Sequence, residues 1–243
     1  LPKIKNQDVL IIGNGATGLD LACEMCETSN ITVLYRSPKI LSKKYLLGIT
    51  TSLVITRFFL IYISQTPLIF YYAIIYIGSR LFYGNPLPLP SKRCDCTNIV
   101  GNVKILDLIK KRKILYLKDS IKNISNKLIL LSSNKKIKAD TIILATGYQY
   151  QIPFITHIQM PYNYKYIINP ELENCGFIGH CPAYNWMQVI EIQSKWFISI
   201  ITNKINLPNK DTMYDEINKL KLEKDSKGLN YYDLIYESFK YCD

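Results

Sequence analysis

The sequence predicts an α/β fold built on a parallel sheet, and three observations predict it. An apolar run, Asp8-Val9-Leu10-Ile11-Ile12, leads without a gap into a glycine-rich turn from Gly13 to Gly18. Behind that turn Leu19, Ala22, Cys23 and Cys26 fall at i, i+3, i+4 and i+7, the spacing of one apolar helix face. A second apolar run, Ile31-Thr32-Val33-Leu34-Tyr35, closes the unit. Short apolar strands on either side of an amphipathic helix are the pattern of a βαβ unit whose strands are covered on both faces. The expected architecture is therefore Rossmann-like and three-layered over residues 1–147, interrupted by an apolar helical insertion at 45–98 and followed by a separate segment at 148–243.

Composition narrows the class further. A chain of 243 residues, 48% hydrophobic and 20% charged, is long and apolar enough to bury a core and is neither disordered nor fibrous. Seven cysteines, sparse and odd in number, do not make a disulfide scaffold, so reduced thiols and a cytoplasmic setting are expected. With only His157 and His180, a metal site is not expected. The chain starts at Leu1 with no secretory leader pattern, and its first strand follows almost at once, which reads as a piece whose natural start lies upstream.

The formal net charge is +11, and its distribution is uneven. Thr28 to Cys94 holds eight basic residues and no acid; Val103 to Lys138 holds eleven Lys and Arg against two Asp. Such an excess fits a polyanionic partner in principle. The chain is also crowded with Lys, Asn, Ile and Tyr, the residues of AT-rich codons. No aromatic is interleaved in Lys110-Lys111-Arg112-Lys113. That run reads as a solvated basic face, and the expected partner is a small molecule with no nucleic acid.

The glycine turn carries the chemistry. Gly13-Asn14-Gly15-Ala16-Thr17-Gly18 spells G-x-G-x-x-G directly between a strand and a helix, the context that makes this pattern specific. Gly13 permits the tight turn, Gly15 lets a diphosphate approach the backbone, and Gly18 lets the helix pack closely. Free N–H groups and the positive end of the helix dipole then hold phosphate, with the Thr17 hydroxyl as a further donor. The bland alternative is a glycine turn that binds nothing.

At the end of the second strand an NAD or FAD site carries an acid, about 20 residues after the first glycines. Here the position reads Tyr35-Arg36-Ser37. A guanidinium at that point suits the 2′-phosphate of NADPH through a charge-assisted fork, with Ser37 or Lys39 assisting. The alternative is a solvated charge at a strand end.

Strands are also expected at Lys113–Leu117 and Lys127–Leu131, with a polar turn at Ser132–Lys135, and at Asp140–Ala145, running into Thr146-Gly147-Tyr148. A strand that ends in small residues lets a ligand or a neighbouring domain approach its carboxyl end.

Taken in order, "VLIIGNGATGLDLA", "VLYRSP" and "DTIILATGY" resemble the NADPH-binding domain of the flavin-containing monooxygenases, with the plant YUCCA-type branch and the related bacterial flavoproteins nearest through residues 34–155. The segment "GFIGHCPAYNWMQVIEIQSKW" resembles the return of such chains into their FAD-binding domain. The resemblance implies an oxidoreductase in which NADPH reduces FAD, and the reduced flavin activates O₂ to oxygenate a soft N or S nucleophile or an α-keto acid. It implies that Gly13, Gly15, Thr17 and Gly18, with Asn14 and Ala16 between them, hold the diphosphate. It further implies that Arg36 and Ser37 hold the 2′-phosphate and that Thr146 and Gly147 mark a hinge. The family's FAD-binding glycine motif precedes its NADPH domain and has no counterpart here, so FAD is expected to be held mostly by residues outside this chain. The alternative is an inactive NADP(H)-binding homologue.

Four other features have plain explanations. Residues 58–79 carry no charge and match the length of a membrane span, but Ser64, Gln65 and Pro67 interrupt them, so packed helices are expected, with membrane-surface contact through 45–83 as the alternative. Cys23-x-x-Cys26 and Cys94-x-Cys96 could form a zinc set, yet the first pair lies on the apolar helix face and reads as core. His180 lies in the return segment and reads as a bystander rather than a flavin-orienting group. A helix from about Trp186 to Asn203 places Trp186, Val189, Ile190, Trp196, Phe197, Ile200 and Ile201 towards a core, with its N-terminus as a candidate flavin contact.

Overall fold

The computed structural model describes residues 4–41, 99–148, 163–180 and 186–227, with isolated positions between 43 and 80 and at 154–155. The charge-free stretch at 58–79, apart from a few positions, lies outside the described residues, as do Cys94 and Cys96. Among the described residues no helix is long and apolar enough to cross a membrane. The described residues through Tyr148 form one compact unit and those after it a second.

In the first unit the elements run β1 (Asp8–Ile12), α1 (Ala16–Met25), β2 (Asn30–Tyr35), then the two-residue strands β3 (Ile40–Leu41), β4 (Tyr45–Leu46), β5 (Ile49–Thr50) and β6 (Ile99–Val100). They continue with α2 (Lys104–Lys110), β7 (Ile114–Lys118), β8 (Ile121–Ser125), β9 (Leu128–Leu131), β10 (Lys136–Lys138) and β11 (Thr141–Leu144). The main sheet has the order β11-β1-β2-β7, and all its pairings are parallel. The chain leaves β1 to one side for β2 and β7, then returns to its other side with β11. That reversal next to β1 is the topological switch point at which open α/β sheets bind ligands, at the carboxyl ends of the strands.

Alternation along β1 divides its side chains between two layers. Val9 and Ile11 face α1 and α2, packing with Leu19, Ala22, Ile105 and Leu106. Leu10 faces the other way, with Leu34, Ile129, Leu131 and Ala139. The three-layer expectation holds, and among the described residues the second covering layer is an antiparallel sheet, order β10-β9-β8. Its outer strands escape a hydrophobic-pattern search: β8 is mostly exposed and β10 reads Lys-Ile-Lys. The turns between these strands take Asn126 and Asn134 at φ +51° and +63°, a region asparagine enters more readily than most residues.

Helix α2 was not expected from sequence. Asn102, nearly buried, accepts from the Ile105 N–H at 3.3 Å and donates to Asp20 at 2.8 Å, so one amide starts α2 and ties it to α1. Lys110, Lys111 and Arg112 are exposed at its far end, and Lys113 pairs with Glu27 at 2.8 Å. Cys23 is 7% exposed in the α1 core, and burial pushes its thiol pKa up. Cys26 packs at the edge of the same core.

The second unit has a core of Tyr164, Ile167, Ile168, Met213 and Ile217, with Trp196, Phe197 and Ile200 against it. These come from α3 (Trp186–Ile201), α4 (Lys210–Lys227) and the turns before them. The side chain of Trp186 lies outside the described residues; among the others the expected inner face of α3 needs one correction. Ile201 is 55% exposed, whereas Gln193 is 2% exposed and sits in the buried stripe, because its Oε1 accepts the Gly179 N–H at 2.8 Å. A hydrophobicity count assigns an amide to the outside; a backbone partner brings it in.

Candidate functional site

The carboxyl ends of β11, β1, β2 and β7 enclose a cleft of about 750 Å³. Of the residues singled out in the sequence, Gly13, Asn14, Gly15, Ala16, Thr17, Arg36, Ser37, Thr146 and Gly147 all line it. Lys39 lines it as well. Gly18 does not: it is buried beneath the turn.

The three glycines have three different physical causes. Gly13 takes φ +113°, and a Cβ there would lie 2.3 Å from the Ala145 carbonyl oxygen. A Cβ on Gly18 would lie 2.2 Å from the Gly13 carbonyl oxygen. Gly15 is unlike both. It has φ −72°, open to any residue, and nothing stands within 4 Å of its Cβ direction. Folding therefore requires Gly13 and Gly18, whereas Gly15 leaves empty a space that opens into the cleft.

Gly15 is also the N-cap of α1, with no side-chain cap and no acid in the first turn. The first intrahelical bond is that of the Leu19 N–H to the Gly15 carbonyl, at 3.0 Å. The N–H groups of Ala16, Thr17 and Gly18 precede it, and so belong to the set a helix leaves unsatisfied. With the positive end of the dipole behind them, they make a seat for an anion.

Arg36 follows the last residue of β2, is exposed, and makes no ion pair among the described residues. On the other side of the cleft, the β11 end contributes Thr146 and Gly147, the latter at φ +91°. Leu144 and Tyr148 are 72% and 98% exposed there.

Three contributors escaped the sequence reading because they come from the turn after β7 and the first residue of β8. Asp119, Ser120 and Ile121 line the cleft beside the β2 end. Asp119 supplies a carboxylate to a region where the β2 sequence has none. Its Oδ1 accepts the Ser120 N–H at 2.8 Å and the Ser133 N–H at 3.4 Å. Contacts with Ser133 and Ser120 hold its pKa below the ordinary value, so it is ionised and anchored on the β9–β10 turn. Tyr116, on β7 itself, lies behind the cleft. Its ring stacks on Tyr35 at 4.3 Å between centroids, and its hydroxyl accepts from the Asn14 amide at 3.0 Å. Sequence spacing gives no hint of a contact across 102 residues.

A glycine turn, an uncapped helix start and a guanidinium thus share one cleft at the switch point of a parallel sheet. The model of one family, flavin-binding monooxygenase-like, matches residues 2–241. The chain belongs to that family. It is similar to flavin-containing monooxygenase FMO GS-OX3 of Arabidopsis thaliana, at 32% identity over 111 residues that cover 42% of this chain and 24% of the relative. It is also similar to flavin-containing monooxygenase 1 of Homo sapiens, at 27% identity over 239 residues, 91% of this chain and 44% of the relative. A cyclohexanone-bound cyclohexanone monooxygenase shares the fold at TM-score 0.63 and 10% identity, over 99% of this chain and 65% of the other. This family member therefore spans less than half the length of those curated relatives.

In the second unit, His180 stands edge-on to Phe177, with centroids 5.8 Å apart. Gly176 packs against Phe197, a Cβ there falling 2.6 Å from the ring. Residues 181–185, which precede α3, lie outside the described residues.

Proposed function

We propose that this chain is the NADPH-binding portion, with part of the flavin domain, of an FAD-dependent monooxygenase. The observation that carries this is the pairing of an open Gly15 at an uncapped helix start with an exposed Arg36, without an ion pair among the described residues, in the same cleft. The N–H groups of Ala16, Thr17 and Gly18, with the Thr17 hydroxyl, bind the diphosphate. Arg36 and Ser37 bind the 2′-phosphate, and Lys39 adds positive charge. Asp119, held by backbone N–H groups, forms the wall beside the β2 tip. Thr146 and Gly147 line the side of the cleft opposite Arg36 and would help to hold the dinucleotide there, at the end of the NADPH-binding portion.

NADPH supplies a hydride for flavin reduction when bound. The described residues carry one G-x-G-x-x-G turn, assigned to NADPH, so no second diphosphate seat, for FAD, is assigned among them. The substrate class that follows from the family is a small soft N or S nucleophile or an α-keto acid, with no nucleic acid as partner. Membrane-surface contact through 45–83 stands as the alternative association.

Titration of the chain with NADPH and with NADH tests this. NADPH is expected to bind more tightly. Arg36→Ala is expected to weaken NADPH about 10- to 100-fold, the range for a lost hydrogen bond to a charged group, while moving NADH by less than about threefold. Absence of binding to either would overturn the proposal and leave a nucleotide fold without its ligand.

A further inference from the structure

The x of G-x-G tolerates many residues as far as the turn is concerned, yet here it is a nearly buried amide. Asn14 is 6% exposed, and its Nδ2 donates twice: to the Ser37 carbonyl at 3.0 Å and to the Tyr116 hydroxyl at 3.0 Å. Both donors of that nitrogen are therefore used. The three groups come from three places in the sheet: the turn after β1, the tip of β2 and the middle of β7. Tyr116 sits opposite Val33 in the β2–β7 register, so its backbone is fixed by the sheet, and its ring is stacked on Tyr35, the residue before Arg36. The Gly13 N–H to the Leu34 carbonyl, 2.9 Å, is a second tie between the same turn and the same strand tip.

We propose that Asn14 and Tyr116 are positioning residues that fix the distance between the glycine turn and the Arg36–Ser37 tip. A ligand with two phosphates then meets both seats already at the right separation. This rests on the assignment of the two seats given under Proposed function. The physical ground is preorganisation: a ligand that bridges two mobile loops must order both, whereas one that meets a braced pair does not. A ligand held at one seat alone gains little from the brace.

The test is calorimetric titration of the full chain with 2′,5′-ADP, which reaches both seats, and with 5′-AMP, which lacks the 2′-phosphate. The unaltered protein is expected to prefer 2′,5′-ADP by tenfold or more. Tyr116→Phe keeps the ring and its stack on Tyr35 and removes only the hydroxyl. It is expected to weaken 2′,5′-ADP about three- to tenfold and 5′-AMP less than twofold, in keeping with one lost hydrogen bond. Asn14→Leu, close in volume, removes both bonds and is expected to match or exceed that loss with the same selectivity. The double variant is expected to be no worse than Asn14→Leu, since both act through one amide. Should Tyr116→Phe fail to fold, Asn14→Leu carries the same comparison. Equal loss of the two ligands, or loss of neither while the unaltered protein keeps its preference, overturns the brace and leaves the site assignment standing. If the unaltered protein shows no preference for the 2′-phosphate, the site assignment fails and the brace falls with it.

Discussion

Gly13 and Ala145 meet at the carboxyl ends of neighbouring strands so closely that a Cβ on Gly13 would stand 2.3 Å from the Ala145 carbonyl oxygen. The approach follows from the sheet: the Ala145 N–H donates to the Ile12 carbonyl at 2.8 Å, which carries the β11 end alongside the glycine turn. Two covalent segments 132 residues apart thereby form one wall of the cleft. Gly13→Ala must strain a φ of +113° and push backbone aside. A loss of at least ~3 kcal/mol of folding stability is expected in urea unfolding.

Gly15→Ala is the contrasting variant. Its φ of −72° suits alanine and no atom blocks the Cβ, so stability should change by less than about 0.5 kcal/mol. The methyl group would occupy space assigned to the diphosphate, and NADPH affinity should fall about tenfold or more. Binding and unfolding measured on both glycine variants separate the two causes; a Gly15→Ala protein that binds normally would remove the diphosphate from this turn.

Tyr116 supplies a pH signature. Burial, chiefly, pushes its hydroxyl pKa up to about 12 from an ordinary value of 10.0. The folded state favours the protonated form, so the associated stability is fully present below pH 10 and is lost as pH rises towards about 12. Compared with Tyr116→Phe, the unaltered protein should lose roughly 2–3 kcal/mol across that window and nothing between pH 7 and 9. Urea unfolding of both proteins at a series of alkaline pH values measures the difference.

The antiparallel layer is tested from its inner and outer faces. Ile129 is wholly buried against Leu10, Leu34 and Leu131, and Ile129→Ala should cost about 2–5 kcal/mol. Ile124, 48% exposed on β8, should cost well under half as much when changed to alanine. Similar losses at the two positions would place the layer elsewhere than on the main sheet.

In the second unit, Gln193→Met keeps the length of the side chain and removes the acceptor for the Gly179 N–H. About 1–3 kcal/mol of destabilisation is expected, since a partly buried donor loses its partner. Chemical denaturation followed by tryptophan fluorescence, with Trp196 against the same core, reports it.

What the sequence determined by itself was local and periodic. β1, α1 and β2, the glycine turn and the position of Arg36 follow from hydrophobic spacing and from residues that few conformations accept. The meander's outer strands and α2 were not legible, because β8 and β10 are held by pairing and turn chemistry and α2 starts from an amide bonded across the fold. Asp119 and Tyr116 entered the site only through the parallel register of β7 on β2. Ile201 lies outside the expected inner face of α3, and Gln193 is buried because the Gly179 N–H partners its amide. Periodicity records which side of an element is apolar; it cannot record which distant strand lies next to it. The glycine turn proposed as the phosphate seat was therefore written along the chain, whereas its separation from the guanidinium is set by contacts that exist only once the sheet has assembled.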